Sequence, residues 1–206
     1  MRFVRPKTSD CAHYYCRKGF YCVNVQAICD AQRRFVWCSI LAAGGTHDST
    51  AFALSALSEN LGNLGEYYLV GDAAYPCGDN MITPYKGRAL SARKDTFNFF
   101  QSSARINIEC AFGIVIKRFP IFRRPLEMSH FRVAVIVRAA FGLHNFIIDF
   151  GNDATFDTAV DEVVLGDEFT DANEDYRLHR SATVGTRRDD IANALYEAGF
   201  RRPSRS

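Results

Sequence analysis

The 206-residue sequence predicts a mixed α/β domain, from one strand pattern and two helical stretches. Apolar and polar residues alternate over residues 21–29, which is typical of a half-buried strand. A more continuously apolar strand is predicted over residues 34–42, and the polar turn between the two makes them an antiparallel hairpin. Two long helices are predicted over residues 96–119 and 129–149. Strands and long helices in one chain predict a fold that contains both types of element.

Shorter elements are predicted between the hairpin and the long helices. A helix is expected over residues 49–61, because Ser and Thr at its start can cap the first turn. A short apolar strand is predicted over residues 67–70, and Gly71 and Asp72 follow its end. The prolines and glycines of residues 73–88 indicate a loop. Ser102, in a pair of serines, is a point at which the first long helix can break.

Composition favours a globular protein over a membrane-spanning or secreted one. Apolar residues make up 48% of the chain and charged residues 23%. The most apolar stretch, residues 131–150, is interrupted by two arginines, a histidine, an asparagine and an aspartate, so we expect no membrane span. No apolar core follows the first basic residues, so no signal peptide is expected. Seven cysteines without an export signal predict reduced thiols in the nucleus or cytoplasm.

Charge divides the chain in two. Residues 1–149 carry 18 Lys and Arg against 11 Asp and Glu, whereas residues 150–206 carry 7 against 12. We therefore predict one folded domain over residues 1–150 and an acidic, largely disordered tail over 151–206, with a short helix near 188–198. A basic body of this kind suits a polyanion such as DNA, although the acidic tail can also serve solubility alone.

Three acidic residues are candidates for chemistry. Asp72 closes an apolar strand, and Asp48 follows the hairpin in a glycine-rich loop. Glu109 lies in an apolar helical stretch, where we expect it to be buried and to need a cation or another partner. The alternatives for Glu109 are an ion pair with Arg105 or a coincidental place at the edge of the helix. The alternative for the two aspartates is loop capping. Together, the three carboxylates are suited to hard divalent ions.

These residues fall within a series of segments that resembles the catalytic domain of Harbinger-type transposases, in the DDE endonuclease superfamily. The series covers residues 13–146 in order. The matching segments are Tyr14-Tyr15-Cys16-Arg17-Lys18-Gly19-Phe20, Asn24-Val25-Gln26-Ala27, Cys29-Asp30, Gly45-Thr46-His47-Asp48-Ser49, Gly71-Asp72-Ala73-Ala74-Tyr75-Pro76, Thr83-Pro84-Tyr85, Phe97-Asn98, Arg105-Ile106, Glu109-Cys110-Ala111-Phe112-Gly113 and Leu143-His144-Asn145.

The resemblance implies an RNase H-like fold, in which a mixed sheet is flanked by helices and acids converge at strand ends. It implies that Asp72 and Glu109, with 36 residues between them, are catalytic, and that Asp48 is a further metal ligand. Two Mg²⁺ or Mn²⁺ ions held by these acids would cleave phosphodiester bonds in DNA.

The sequence departs from the family pattern at its start. The family's first catalytic aspartate falls at or before Met1 when counted back from Asp48, and Asp10, in a polar loop, is not accepted as its replacement. We therefore expect an N-terminally truncated domain whose first strand is partly missing and whose activity is impaired. The alternative is a domesticated, non-catalytic nuclear module that binds DNA or a protein.

Basic pairs near the matching segments predict a surface that binds phosphates. The alternative for the later pairs is a solvated helix end, where cations complement the helix dipole. The resemblance also implies a Myb-like partner protein that supplies DNA binding. The candidate nucleic-acid-binding residues are Arg17, Lys18, Lys117, Arg118, Arg123 and Arg124.

Two further groups carry weaker hypotheses. A zinc site at Cys11, His13, Cys16 and Cys22 is disfavoured, because the spacing contains no Cys-x-x-Cys pair. His144, with Asn145 beside it in an apolar helix, is expected to form hydrogen bonds in the core rather than to serve a site.

Overall fold

The computed structural model describes residues 1–6, 11–151 and 186–203. The chain divides into two compact units. Unit 1 comprises Met1–Ser55 and Asn107–Asp167, and unit 2 comprises Ala56–Ile106 and Glu168–Ser206. The described residues form a mixed α/β structure with two small two-stranded sheets, which confirms the predicted class at that level. The RNase H-like arrangement and a domain boundary at residue 150 stay predictions.

The predicted hairpin is confirmed in unit 1. Strand β1 (Gln26–Cys29) pairs antiparallel with β2 (Phe35–Ser39). Oδ1 of Asp30 accepts hydrogen bonds from the backbone N–H groups of Gln32 and Arg34, each at 2.9 Å, so one carboxylate organises the turn. Burial acts to raise the pKa of Asp30, but the hydrogen bonds and charge of Arg34 hold this pKa below its usual value.

The core of unit 1 lies between the hairpin, the second half of helix α3 (Ala92–Arg118) and helix α4 (His130–Phe150). Both helices were predicted, and Ser129 takes the N-cap position of α4 without a capping hydrogen bond from its side chain. The ring of Phe35 stacks on that of Phe141 at 3.8 Å between centroids. The buried members of this core are Phe3, Val23, Phe35, Ile40, Ala111, Val115, Phe122, Leu126, Val133, Val137, Ala140 and Phe141.

By length and composition, α4 is apolar enough to cross a membrane, with a mean hydropathy of 1.6 over its most apolar window. One face of α4 packs in the core of unit 1, so a core helix also accounts for this composition.

The predicted helix over residues 49–61 is wrong as a single element. It consists of α1 (Asp48–Ala53), α2 (Ala56–Asn60) and a turn of 3₁₀ helix (Leu61–Leu64). The hydroxyl and the backbone N–H of Ser55 both donate to the carbonyl of Phe52, at 2.7 and 2.9 Å, which closes the first helix. Local hydrogen bonds by serine compete with helix continuation in this way.

Unit 2 contains a small parallel sheet that the sequence did not predict. Strand β3 (Leu69–Val70) was predicted, and it pairs parallel with β4 (Met81–Ile82). The interpretation of residues 73–88 as a loop was therefore wrong at β4. Two apolar residues between turn signals are too few to show a strand period, and only the pairing partner defines the strand.

The first long helix and the short helix near the end of the chain are confirmed in outline. Helix α3 starts at Ala92, four residues before the predicted start, and continues without the break proposed at Ser102. Its neighbour Ser103 donates its hydroxyl to the carbonyl of Phe99 at 2.9 Å, a bond within the helix that leaves α3 continuous. Helix α5 (Thr186–Glu197) matches the helix predicted over 188–198. The disorder predicted for the acidic segment falls on residues 152–185, outside the described residues.

Candidate metal centre and nucleic-acid interface

Asp48 is the first residue of α1, and its exposed carboxylate is held by a side chain that lies just before β1. Nδ2 of Asn24 donates to Oδ1 of Asp48 at 2.7 Å and to the carbonyl of Thr46 at 3.2 Å. Nε2 of Gln26 donates to the Asp48 carbonyl at 2.7 Å. The backbone and the carboxylate of Asp48 are thus each fixed by an amide side chain.

The sequence interpretation did not assign roles to Asn24 and Gln26. The available signal was their spacing, because residues two apart on an extended chain lie on the same face. Gln26 is buried, and its Oε1 has no hydrogen-bond partner among the described residues. A buried amide atom without a hydrogen bond costs free energy. Gln26 therefore bonds to the Asp48 backbone through Nε2, while its Oε1 lacks a partner among the described residues.

Asp72 directly follows β3 in unit 2. Its Oδ1 accepts a hydrogen bond from the backbone N–H of Ala74 at 2.8 Å, which forms a tight local turn. Gly71 before it is tightly surrounded, because a Cβ there would lie 2.9 Å from Sδ of Met81. The buried Gln101 on α3 donates from Nε2 to the Gly71 carbonyl at 2.6 Å, so it anchors this strand end. Gln101 is a third positioning residue that the sequence interpretation missed, after Asn24 and Gln26.

Glu109 does not have the environment that we expected. Its neighbours Cys110 and Ala111 are buried, but Glu109 itself is exposed on α3. The expectation that burial forces this carboxylate to seek a cation was therefore wrong. An apolar stretch surrounds Glu109 in sequence, yet a helix turns about 100° per residue, so a neighbour of core residues can still face water.

The donor atoms of the three acids suit a divalent cation, although no centre is assembled within a single unit. Asp48 and Glu109 belong to unit 1, and Asp72 belongs to unit 2. All three offer carboxylate oxygens that are exposed or half-buried, and Mg²⁺ and Mn²⁺ prefer oxygen ligands. Among the described residues, no group of three or more His, Cys, Asp or Glu side chains is arranged to hold a metal. The zinc site that the spacing disfavoured gains no support from this finding. Its residues are Cys11, His13, Cys16 and Cys22.

The first basic pair lies on a tight turn of unit 1. Tyr15 bridges antiparallel to Tyr21, and Gly19, at φ +81°, closes the turn between them. Arg17 and Lys18 are exposed on this turn. Glycine is favoured at such a φ, so the chain reverses here and presents both cations to solvent.

The later basic residues have mixed roles. Arg118 approaches Nδ1 of the buried His144 with its Nη1 at 3.0 Å, and Arg123 donates to the Lys117 carbonyl at 3.1 Å. The contact of Arg123 fits the alternative in which cations satisfy a helix C-terminus, whereas Arg118 contacts a buried imidazole. Lys117, Arg123 and Arg124 remain exposed, so they can also meet phosphates.

His144 and Asn145 form core hydrogen bonds, as predicted. His144 is fully buried, and its Nε2 lies 2.9 Å from the Arg33 carbonyl. A carbonyl can only accept, so Nε2 carries the proton and Nδ1 accepts from Arg118. Asn145 pairs with the backbone of Phe35 through both amide atoms, at 2.8 and 2.9 Å. Both side chains therefore fix the hairpin to α4.

Comparison with known proteins identifies the family. Residues 1–145 match the DDE superfamily endonuclease family, and this range contains Asp48, Asp72 and Glu109. No curated protein and no solved structure shows significant similarity to the chain. Because the match covers most of the sequence, this chain belongs to the DDE superfamily endonucleases.

Proposed function

We propose that the chain cleaves phosphodiester bonds in DNA with divalent metal ions. Asp72 and Glu109 would be the catalytic carboxylates and Asp48 a further metal ligand. The observation that carries the proposal is the fixation of the exposed Asp48 carboxylate by Asn24, within a domain whose family generally uses divalent metals. An exposed carboxylate needs no such amide partner for stability, whereas a metal ligand benefits from orientation.

Bound Mg²⁺ or Mn²⁺ would supply an activated hydroxyl nucleophile and stabilise the leaving oxygen. The residues of this chain have separate tasks. Asn24 orients the carboxylate of Asp48, Gln26 fixes its backbone, and Gln101 holds the strand end that precedes Asp72. All three acids must be ionised to serve as ligands.

DNA binding is proposed for unit 1 because of its charge. Its described residues include twelve Lys and Arg against five Asp and Glu, whereas those of unit 2 include nine against eight. A positive surface attracts the DNA backbone and releases counterions on binding, so we expect affinity to fall steeply with salt. Arg17 and Lys18, both exposed, are the proposed first contacts, with Lys117, Arg118, Arg123 and Arg124 as further ones.

We further propose a Harbinger-type transposase origin, on the matching segments already described. This origin supports a Myb-like protein as the partner that selects the DNA sequence, and it supports action in the nucleus. Pull-down from nuclear extract with this chain as bait would test the partner. Failure to capture a Myb-like protein at low salt would contradict the proposal.

Cleavage is tested by nicking of supercoiled plasmid in Mg²⁺ or Mn²⁺, with chelator as the negative control. We expect Asp72→Asn and Glu109→Gln each to reduce nicking by at least about a hundredfold, because each removes a charged ligand. The matched controls Asp79→Asn and Glu127→Gln change exposed acids in the same units and should leave nicking unchanged. Equal nicking by Asp72→Asn and the unchanged chain would contradict the assignment.

A second function, DNA binding without cleavage, is favoured by the exposure of Glu109, which needs no metal to offset burial. This function predicts no heat of Mn²⁺ binding by calorimetry but retained, salt-sensitive binding of duplex DNA. Arg17→Ala with Lys18→Ala should then weaken binding to all sequences alike and reduce the slope of log K against log salt by about two.

A further inference from the structure

The basic turn of unit 1 (residues 15–21) presents an aromatic ring to solvent. Tyr15 is 51% exposed, and its ring packs edge-on against that of Tyr21 at 5.1 Å between centroids. Edge-on packing pairs the edge of one ring with a face of the other, so each ring keeps at least one face that its partner does not cover. Tyr15 can therefore accept a flat ligand on its ring.

Hydrogen bonds fix the backbone of the basic turn. The N–H of Gly19 donates to the carbonyl of Cys16 at 2.9 Å, and the N–H of Cys16 donates to the carbonyl of Phe20 at 3.0 Å. With Gly19 at φ +81°, this is the pattern of a three-residue hairpin loop that ends in a left-handed residue. Arg17 and Lys18 are the central residues of the turn, and both are exposed. The turn thus presents two cations within three residues of the exposed tyrosine.

A further cation lies beside the basic turn. Arg2 bridges antiparallel to Cys22, so the start of the chain runs alongside the turn. The guanidinium of Arg2, an exposed residue, lies 4.2 Å from the centroid of the Phe20 ring. Residues 1–29 contain five Lys and Arg but a single acid, Asp10. A ring face among cations suits a ligand that combines negative charge with flat bases, as single-stranded nucleic acids do.

The basic turn adjoins the loop that leads to Asp48. The N–H of Gly44 donates to the carbonyl of Cys22 at 2.8 Å, and the N–H of Gly45 donates to the carbonyl of His13 at 2.9 Å. The approach at Gly45 is close, because a Cβ there would lie 2.7 Å from the His13 carbonyl oxygen. Asp48 follows three residues after Gly45, in the same unit. The turn is thus fixed to the segment that carries the proposed metal ligand.

The open ring distinguishes between two forms of DNA. In a duplex both faces of each base are covered by neighbouring base pairs, so an aromatic side chain finds no base face to stack on. In a single strand the bases can stack on aromatic side chains while cations contact the backbone. We infer that the basic turn binds a single-stranded segment of DNA, with a base stacked on Tyr15 and phosphates at Arg17 and Lys18. This inference rests on the proposed function for DNA as the substrate, and it adds the form of DNA that the turn selects.

The first test compares single-stranded and duplex DNA of one sequence by fluorescence anisotropy, with the full chain, labelled oligomers and a chelator. Tyr15→Ala should raise the dissociation constant for the single strand at least about tenfold, because a stacking partner is lost, and that for the duplex less than about twofold. Tyr15→Phe keeps the ring and should retain the affinity for the single strand. Tyr67→Ala, the matched control at an exposed tyrosine of unit 2, should change neither constant.

The second test locates the contact. A single strand that carries 5-bromodeoxyuridine should crosslink to Tyr15 under ultraviolet light, and mass spectrometry of the digested adduct identifies the residue. Arg17→Ala with Lys18→Ala should weaken the binding of single strand and duplex alike, since phosphates are common to both. Circular dichroism checks that each variant stays folded. If alanine disturbs the turn, Tyr15→Leu takes its place, because leucine keeps an apolar side chain without a ring face.

Several results would overturn the inference. If Tyr15→Ala leaves single-strand binding unchanged, or weakens single-strand and duplex binding equally, stacking on this ring is ruled out. If polyglutamate displaces the labelled oligomer as readily as unlabelled single strand does, the turn is assigned to an acidic protein instead. Because the chelator prevents cleavage, these outcomes are independent of nicking. A chain that binds single strands through Tyr15 but does not nick plasmid would contradict only the proposed cleavage.

Discussion

Units 1 and 2 are stabilised by different means. Among the described residues, unit 1 has a core cluster of twelve buried apolar residues between its hairpin and two helices. The cluster in the described part of unit 2 has four, and one of them, Ala192, lies on α5. The family match ends at residue 145, so α5 lies outside it. Apolar burial is thus more extensive in unit 1, whereas the smaller cluster of unit 2 includes a helix from beyond the matched region and is joined by specific polar contacts.

Polar contacts around Tyr85 show how unit 2 compensates for its small core. The hydroxyl of Tyr85 donates to Oδ1 of Asp189 on α5 at 2.5 Å. The guanidinium of Arg188 lies over the Tyr85 ring at 4.0 Å and donates to the carbonyls of Thr83 and Pro84. One aromatic side chain thus joins the segment that follows β4 to α5 through a hydrogen bond and a cation–π contact.

The largest effect is expected in the core of unit 1. Val137→Asp would bury a carboxylate at a fully buried position, at a cost above about 4 kcal/mol, and should unfold this unit. Val135→Asp is the matched control, since it lies on the same helix but is 66% exposed. In thermal unfolding followed by circular dichroism, the control should melt within a few degrees of the unchanged chain. Equal melting of the two variants would contradict the core described for unit 1.

A smaller, local effect is expected in unit 2. Ala192→Arg would overfill its core and place a cation there, at a cost of about 2–4 kcal/mol. Hydrogen exchange should then accelerate in β4 and α5, while the hairpin of unit 1 keeps its protection. Ala194→Arg, at an exposed position of α5, should leave exchange unchanged. An equal loss of protection in both units would show that they do not differ in the way described.

The smallest effect concerns alkaline pH. Burial, with the hydrogen bond to Asp189 and its charge, raises the pKa of Tyr85 to about 12. Between pH 10 and 12 the unfolded chain has lost this proton and the folded chain retains it, so stability falls as pH rises through this window. Tyr85→Phe should remove that part of the fall and cost about 1 kcal/mol at neutral pH.

Urea titrations at neutral pH and above pH 10 measure this difference. Tyr67→Phe, at a tyrosine that is 80% exposed, should retain the alkaline fall of the unchanged chain. If the free energy of unfolding of Tyr85→Phe falls equally at alkaline pH, Tyr85 does not couple α5 to the rest of unit 2.

Local patterns predicted the elements that have a clear period or a capping residue. The hairpin, α4 and α5 followed from alternation and helical spacing, because each is long enough to repeat its pattern. Strand β4 was missed because two residues show no period, and the helix at 49–61 was overextended because Ser55 closes its first turn. The candidate acids followed from their places at strand ends and in an apolar helix, and the family resemblance implied their roles. Asn24 and Gln101 were not assigned, since an amide has a role only through the group it contacts.

The order of the residues by itself determined the family, the basic body and the position of Asp72 at a strand end. Only the tertiary structure decided that Glu109 is exposed, that Gln26 and Asn24 hold Asp48, and that α5 completes unit 2. The physical reason is that spacing in a sequence fixes which residues share a local face. Whether that face meets water or another element depends on contacts between residues far apart in the chain.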